Sequence, residues 1–320
     1  MRSTSKASKH GEISKVDETN ETNETKKLLT RSPPSNLRTL STSATPAPPS
    51  TPAPQQHSFT PTPIVTSPPA PGSEPPFSVR SRAAFVPAAE TLVIADLHLG
   101  RGRSSAIDAP IDAAESIRSR LTALLEHTGA TTVVVAGDLL HAFDYVPQGV
   151  TESLAVLEST VESAGAALAV TPGNHDSMLP SVFEGEAQPV WEFEHEDEDE
   201  HEHKHKHEHE TTAIAVCHGH EEPDREADLY VVGHDHPALS IEGRKRPCFL
   251  FGPAAYDGSD VLMLPAFTEL AGGATVNGMR ARDFQSPLVT DADAFHPIVW
   301  DDGAGESLWF PPLGECRRLL

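Results

Sequence analysis

Lysine is nearly missing from most of this chain. Beyond Phe77 only Lys204, Lys206 and Lys245 remain, in a 320-residue sequence with 24 basic residues, 47 acidic ones and a formal charge of -23. Such a balance excludes a broad electrostatic grip on nucleic acid or on an anionic membrane, so any phosphate must be held locally. The acidic residues are spread along the chain, which fits the solvated surface of a salt-adapted protein and says little about substrate. Cysteine is scarce as well. Cys217, Cys248 and Cys316 stand far apart and form no Cys-x-x-Cys pair, which excludes a zinc ribbon and fits a reducing compartment. No run is apolar and long enough for a signal-peptide core or a membrane span, so a cytoplasmic protein without a membrane partner is expected.

Large apolar residues are also few at the start of the chain. Residues 1–78 are polar and then rich in Ser, Thr and Pro ("STSATPAPPSTPAPQQHSFTPTPIVTSPPAPGSEPP"), too poor in core-forming side chains to offset the entropy of ordering, and a disordered tail is expected. Residues 79–320 read as one domain, in which short β-branched runs alternate with helical segments as in an α/β fold. "TLVIADLHLG", "TTVVVAGDLLH", "AALAVTPGNHD", "TTAIAVCHGH" and "DLYVVGHDHP" are buried strands with their exit loops. Between the first three lie two amphipathic helices. One carries Ile117, Leu121, Leu124 and Leu125 on one face and stops at Gly129; the other, from about Glu152 to Ala164, turns Leu154, Leu157 and Val161 inward.

Each of the five strands ends in polar residues of one kind: Asp96 and His98, then Gly137 and Asp138, then Asn174, His175 and Asp176, then His218, then His234 and His236. Loops at the carboxyl ends of such strands converge, so these residues can meet in one site. Their chemistry suits two divalent cations, since a carboxylate can bridge while imidazoles and an amide oxygen fill the other positions. Nitrogen and oxygen donors without thiolate point to Mn first, with Fe, Zn, Ni or Co as alternatives.

The densest histidine cluster lies elsewhere, in "HEDEDEHEHKHKHEHE" from His195 to Glu210. With no apolar anchor it cannot fix ligands in one geometry, and it reads as a solvated acidic loop inserted between two strands at about 195–210. A loose arm that gathers metal is the alternative. Arg244, Lys245 and Arg246, the one basic cluster, mark a hairpin turn; Trp191, Trp300 and Trp309 read as core or edge aromatics.

Over roughly Ser81 to Gly278, the blocks "ADLHLG", "AGDLLH", "PGNHD", "CHGH" and "VVGHDHP" resemble the calcineurin-like metallophosphoesterase superfamily. Together with "RPCFLFGP" and "VLMLPAFTELAGG" they are similar to its Icc-like, SbcD-related phosphoesterases, some bacterial relatives of which are described as ligase-associated DNA-repair endonucleases. The resemblance implies a sandwich of two mixed β-sheets flanked by helices (α/β/β/α). It also implies a binuclear metal-dependent phosphoesterase that hydrolyses phosphodiesters, DNA among them, through a hydroxide held between the metals. One metal would take Asp96, His98 and His236 and the other Asn174, His218 and His234, with Asp138 as the bridge; "CHGH" leaves His220 as an alternative to His218. His175 falls beside the leaving group, and His141 where related nucleases have a histidine facing the substrate phosphate. Asp176 stands with them, either in the chemistry or orienting His175, while Arg101 and Arg103 could contact substrate. A small-nucleotide phosphodiesterase or phosphatase is the alternative enzyme, and a silent scaffold the alternative outside catalysis.

Overall fold

The computed structural model describes residues 75–101, 110–196 and 211–317. Two mixed sheets pack face to face within them. The first contains, in spatial order, β1 (Ser78–Arg80), β2 (Ala83–Val86), β3 (Thr91–Ile94), β4 (Thr132–Ala136), β5 (Ala167–Thr171) and β6 (Glu186–Ala187). Neighbours are antiparallel from β1 to β3 and parallel from β3 to β6. Parallel neighbours need crossovers, and α1 (Pro110–Thr128) and α2 (Val150–Ser163) supply two of them. α2 starts earlier than its apolar spacing suggests, because Gly149, at φ +86°, turns the chain into the helix and brings Val150 onto the buried face.

Alternation along the strands separates two cores. Leu92, Ile94, Val133 and Val135 pack with Leu121, Leu124, Leu154 and Leu157 of the helices, whereas Val93, Val134, Ala136 and Ala169 face the second sheet. That sheet runs β16 (Glu306–Trp309), β15 (His296–Asp301), β12 (Phe249–Tyr256), β13 (Ser259–Met263), β9 (Leu229–Val232), β8 (Thr211–Cys217) and β7 (Trp191–Glu196). Its parallel pairs are β13 with β9 and β9 with β8. Ile214, Val216, Val231, Phe249 and Leu262 complete the layer between the sheets.

The outer face of the second sheet is covered differently. Val276, Leu288, Ala292, Phe295 and Leu313 lie over it, drawn from 3-10 turns, loops and the four-residue α3 (Leu313–Cys316), so the helical layer on this side is thin. A small third sheet of β11 (Arg244–Pro247), β10 (Pro237–Ile241) and β14 (Ala274–Thr275) adds Leu239 to the same core. Arg244, Lys245 and Arg246 form the exposed start of β11, directly after a two-residue turn in which Glu242 and Gly243 both have positive φ. Trp309 is buried, and Trp191 and Trp300 are half-buried on β7 and β15.

Residues 1–74 of the expected tail, Arg103, and residues 197–210 of the acidic histidine run lie outside the described residues. The strands beside that run, β7 and β8, pair antiparallel as far as Glu196 and Thr211. No helix among the described residues is long and apolar enough to cross a membrane.

One buried carboxylate fastens the C-terminal part of the chain to the sandwich. Asp235, 6% exposed, accepts hydrogen bonds from the Gln285 and Ser286 amides at 2.9 and 3.0 Å. In Asp235→Ala both amides lose their partner, and stability should fall by about 2–5 kcal/mol, read as a lower urea midpoint. Asp235→Asn keeps one acceptor oxygen and should lose less; an Asp235→Ala midpoint equal to that of the parent would refute the anchor.

Candidate metal centre

The five strand exits meet at one end of the sandwich. Asp96 and His98 leave β3, Asp138 leaves β4, Asn174 and His175 follow β5, His218 follows β8, and His234 and His236 follow β9. These exits are sharply bent. Asp96, His98, Asp138, His234 and His236 all have positive φ, between 48° and 75°, and make up five of the ten such non-glycine residues among those described. Each left-handed residue costs about 1–3 kcal/mol and persists only where its surroundings over-determine it. Here a backbone ladder does so. Asp96 N–H donates to Gly137 O at 3.0 Å, His98 N–H to Asp138 O at 2.9 Å, Leu99 N–H to Leu139 O at 2.8 Å and Gly233 N–H to His218 O at 3.1 Å. Gly173 is required for another reason: a Cβ there would overlap Asp138 Oδ1.

The side chains form two adjoining groups of electron-pair donors. In one, His236 Nε2 lies 3.0 Å from Asp96 Oδ1 and 3.2 Å from His98 Nε2. In the other, His218 Nε2 lies 3.4 Å from Asp138 Oδ1, 3.2 Å from Asn174 Oδ1 and 3.1 Å from His234 Nδ1. His218 donates its Nδ1–H to Ala136 O at 3.1 Å, which leaves Nε2 as an acceptor among acceptors. The second Asp138 oxygen, Oδ2, is 3.9 Å from His98 Nε2, so this carboxylate faces both groups. Asp96 Oδ1 and His98 Nδ1 are buried without a hydrogen-bond partner. Buried acceptors that face one another call for a cation. Asp96 with His98 and His236, Asp96 with Asp138 and His218, and His98 with His141 and His175 are each close enough to hold a metal ion.

Electrostatics prepares the donors. Burial holds His98 at about 3 and His218 at about 4, so both imidazoles are neutral near pH 7. Burial opposes ionisation of Asp96, yet the close approach of His236, with His218 and His98 also nearby, brings it below the usual carboxylate value. Asp138 goes the other way: burial and then the charge of Asp96 push it up to about 8.

Beside these groups, His175 donates Nδ1–H to His141 O at 2.7 Å and presents Nε2 to Asp138 Oδ2 at 3.8 Å. The His141 ring is nearly parallel to that of His175, 5.8 Å away, and its Nδ1 is buried without a partner. Burial lowers the pKa of His141, and the charge of Arg101, near enough to act on both His141 and His98, adds to the effect of burial on each. His220 lies outside the tight cluster, its ring 5.1 Å from that of His218 and its Nε2 facing Glu221. One expectation for Asp176 needs correction. Rather than orienting the His175 ring, its oxygens accept the amides of Leu139 at 3.2 Å, Leu140 at 2.8 Å and Gly173 at 2.9 Å, tying the β4 and β5 exits together close to Asp138, whose pKa its charge helps to raise. Sequence reasoning passed over Phe143, whose ring is 3.9 Å from that of His175, and Asp235, which anchors the loop between His234 and His236. The short spacing His141-x-Phe143 was the available signal for the first.

Residues 90–221, from the start of β3 to just past His220, match the model of the family described as Calcineurin-like phosphoesterase. Among solved structures the chain is similar to the Pseudomonas putida nuclease MPE, at 22% identity and a TM-score of 0.46, over 72% of this chain and 91% of that one. It is also similar to Yfce, a phosphoesterase from E. coli, at 14% identity and a TM-score of 0.32, over 66% and 88% of the two chains. No curated protein sequence matches it. Residues 90–221 are therefore similar to a calcineurin-like phosphoesterase domain. The match supports a metal-dependent phosphoesterase, and the family it names comprises hydrolases that use divalent metals.

The Asp138 shift has a measurable sign. A carboxyl whose folded pKa is raised from 3.8 to about 8 destabilises the fold progressively as pH climbs through that interval. In a chelator, Asp138→Asn should thus gain stability over the parent between pH 5 and pH 8, by on the order of a few kcal/mol. His98 and His218, with depressed values, act oppositely below about pH 6.5 but are common to both proteins. Parallel stability curves for parent and variant would refute the raised pKa.

Proposed function

We propose that this chain hydrolyses phosphodiester bonds at a binuclear centre, with manganese the first metal to test. Asp96, His98 and His236 would hold one cation and Asn174, His218 and His234 the other, with Asp138 shared. The observation that carries this reading is the closing of acceptor atoms on His218 Nε2, with Asp138 reaching from that cluster to His98. A scaffold without catalysis would have no need of a full donor set. When bound, the cations would lower the pKa of a water and draw charge from the phosphoryl oxygens.

The remaining work falls to the chain. The amide of His175 donates to Asp138 Oδ1 at 3.0 Å and fixes that carboxylate between the groups. The His141 carbonyl holds the His175 ring by Nδ1, which leaves Nε2 turned toward the centre; protonated there, it donates to the departing oxygen. His141 and Arg101, on the same side, would steady the substrate phosphate. The phosphodiesters meant include nucleic acid. The domain proposed to carry this activity is residues 79–320, and the run 195–210 has no part in the proposed chemistry.

Asp138→Asn should lower metal content, measured by elemental analysis, and reduce turnover by more than the about 10- to 100-fold typical of outer-shell losses. A folded variant with normal turnover would sink the binuclear centre. His175→Ala should keep its metal and lose more rate on an alkyl phosphodiester than on a nitrophenyl one, by about tenfold or more, because an alkoxide needs the proton and a nitrophenolate does not. Equal losses would assign His175 to phosphoryl-oxygen stabilisation, and loss of metal would make it a ligand.

A further inference from the structure

Phe143 and Tyr145 are the most exposed large apolar side chains among the described residues, at 51% and 57%, in a chain with only 6% aromatics. Both sit in the segment that leaves β4 just beyond Asp138 and His141. The Phe143 ring lies 3.9 Å from that of His175, tilted by 30°. The segment is also fastened: His141 O accepts from the His175 ring at 2.7 Å, and Phe143 O accepts from the Ser177 hydroxyl. Keeping a flat apolar ring half in water is unfavourable, and fixing it beside a reactive centre removes its freedom to fold away.

We propose that Phe143, with Tyr145 two residues on, is a stacking platform for the nucleobases that flank the scissile phosphate of a single-stranded nucleic acid. The inference rests on the phosphodiesterase reading above and adds the element that recognises the substrate. A base presents a flat face to such a ring whatever its identity, and stacking of this kind tolerates sequence. A net charge of -23 denies the protein the long-range attraction on which most strand binding depends, so local stacking must carry more of the affinity. In a duplex both faces of each base are already covered, which leaves single strands as the substrate. Two exposed rings in one short segment serve successive bases, which favours a strand over a lone nucleotide.

The test uses the full chain with Mn²⁺ and a short oligodeoxynucleotide in which 2-aminopurine, quenched on stacking, adjoins a phosphorothioate linkage. Binding should quench the fluorescence. Phe143→Ala should weaken affinity about tenfold or more, and Phe143→Trp should restore it. An end-labelled strand with an abasic residue at that position should bind the parent about as weakly as the base-bearing strand binds Phe143→Ala. Unchanged affinity in Phe143→Ala, equal binding of abasic and base-bearing strands, or an equal loss on both would overturn the platform; the last would make the ring a support for His175 alone. A 2-aminopurine nucleoside monophosphate that binds as tightly as the strand would overturn the strand assignment. Because binding is read without turnover, quenching without hydrolysis of any phosphodiester sinks the phosphodiesterase reading, whereas hydrolysis without quenching sinks only the platform.

Discussion

Lone pairs that would separate in water are held together at the end of this sandwich. His218 Nε2 faces a carboxylate oxygen, an amide oxygen and another imidazole nitrogen, all within 3.4 Å, and its one proton is given to Ala136 O on the far side of the ring. Nothing in that arrangement is favourable by itself. It survives because the atoms are borne by backbone whose own bonds are satisfied elsewhere, in the parallel ladders of β3 to β5 and of β8, β9 and β13 and in the rungs that continue past their ends. The left-handed turns at Asp96, His98, Asp138, His234 and His236 belong to the same bargain between local cost and global packing. They place each donor one step past a strand end, where the chain would otherwise move away.

Much of this could be read from the sequence. An apolar run that stops abruptly at Asp, Asn or His identifies a strand exit, and five in a row imply convergence, because the ends of neighbouring parallel strands cannot avoid one another. For the same reason His218, directly after β8, stands inside the cluster and His220, two residues further, outside it. What escaped depends on partners far away in the chain. Asp235 is a polar residue between two histidines until Gln285 and Ser286 are known to lie against it, and Asp176 resembles a catalytic neighbour until its oxygens are seen on the amides of Leu139, Leu140 and Gly173. The strands β15 and β16, beyond the stretch with recognisable motifs, escaped likewise. Their residues alternate only weakly, and their place beside β12 is a matter of long-range pairing.

Exposure was the least legible property. Phe143 and Tyr145 are the kind of residue a periodicity argument assigns to a core, yet both are exposed, and Phe143 stands beside His175 because the segment carrying it is tied down through its carbonyl oxygens and not through its side chains. Conversely, the histidine-rich run attracts the eye first, although among the described residues the imidazoles that gather around carboxylates are solitary ones in the sequence.

The donors are divided between the two sheets. Asp96, His98, Asp138 and Asn174 ride on the first, and His218, His234 and His236 on the second. The groups Asp96, His98 and His236 and Asp96, Asp138 and His218 each draw on both sheets, so during folding neither can close until β8 and β9 have docked across the layer of Val134, Ala136, Val216 and Val231. The centre comes into being late, and its occupancy becomes a report that the two halves of the sandwich have found their mutual alignment.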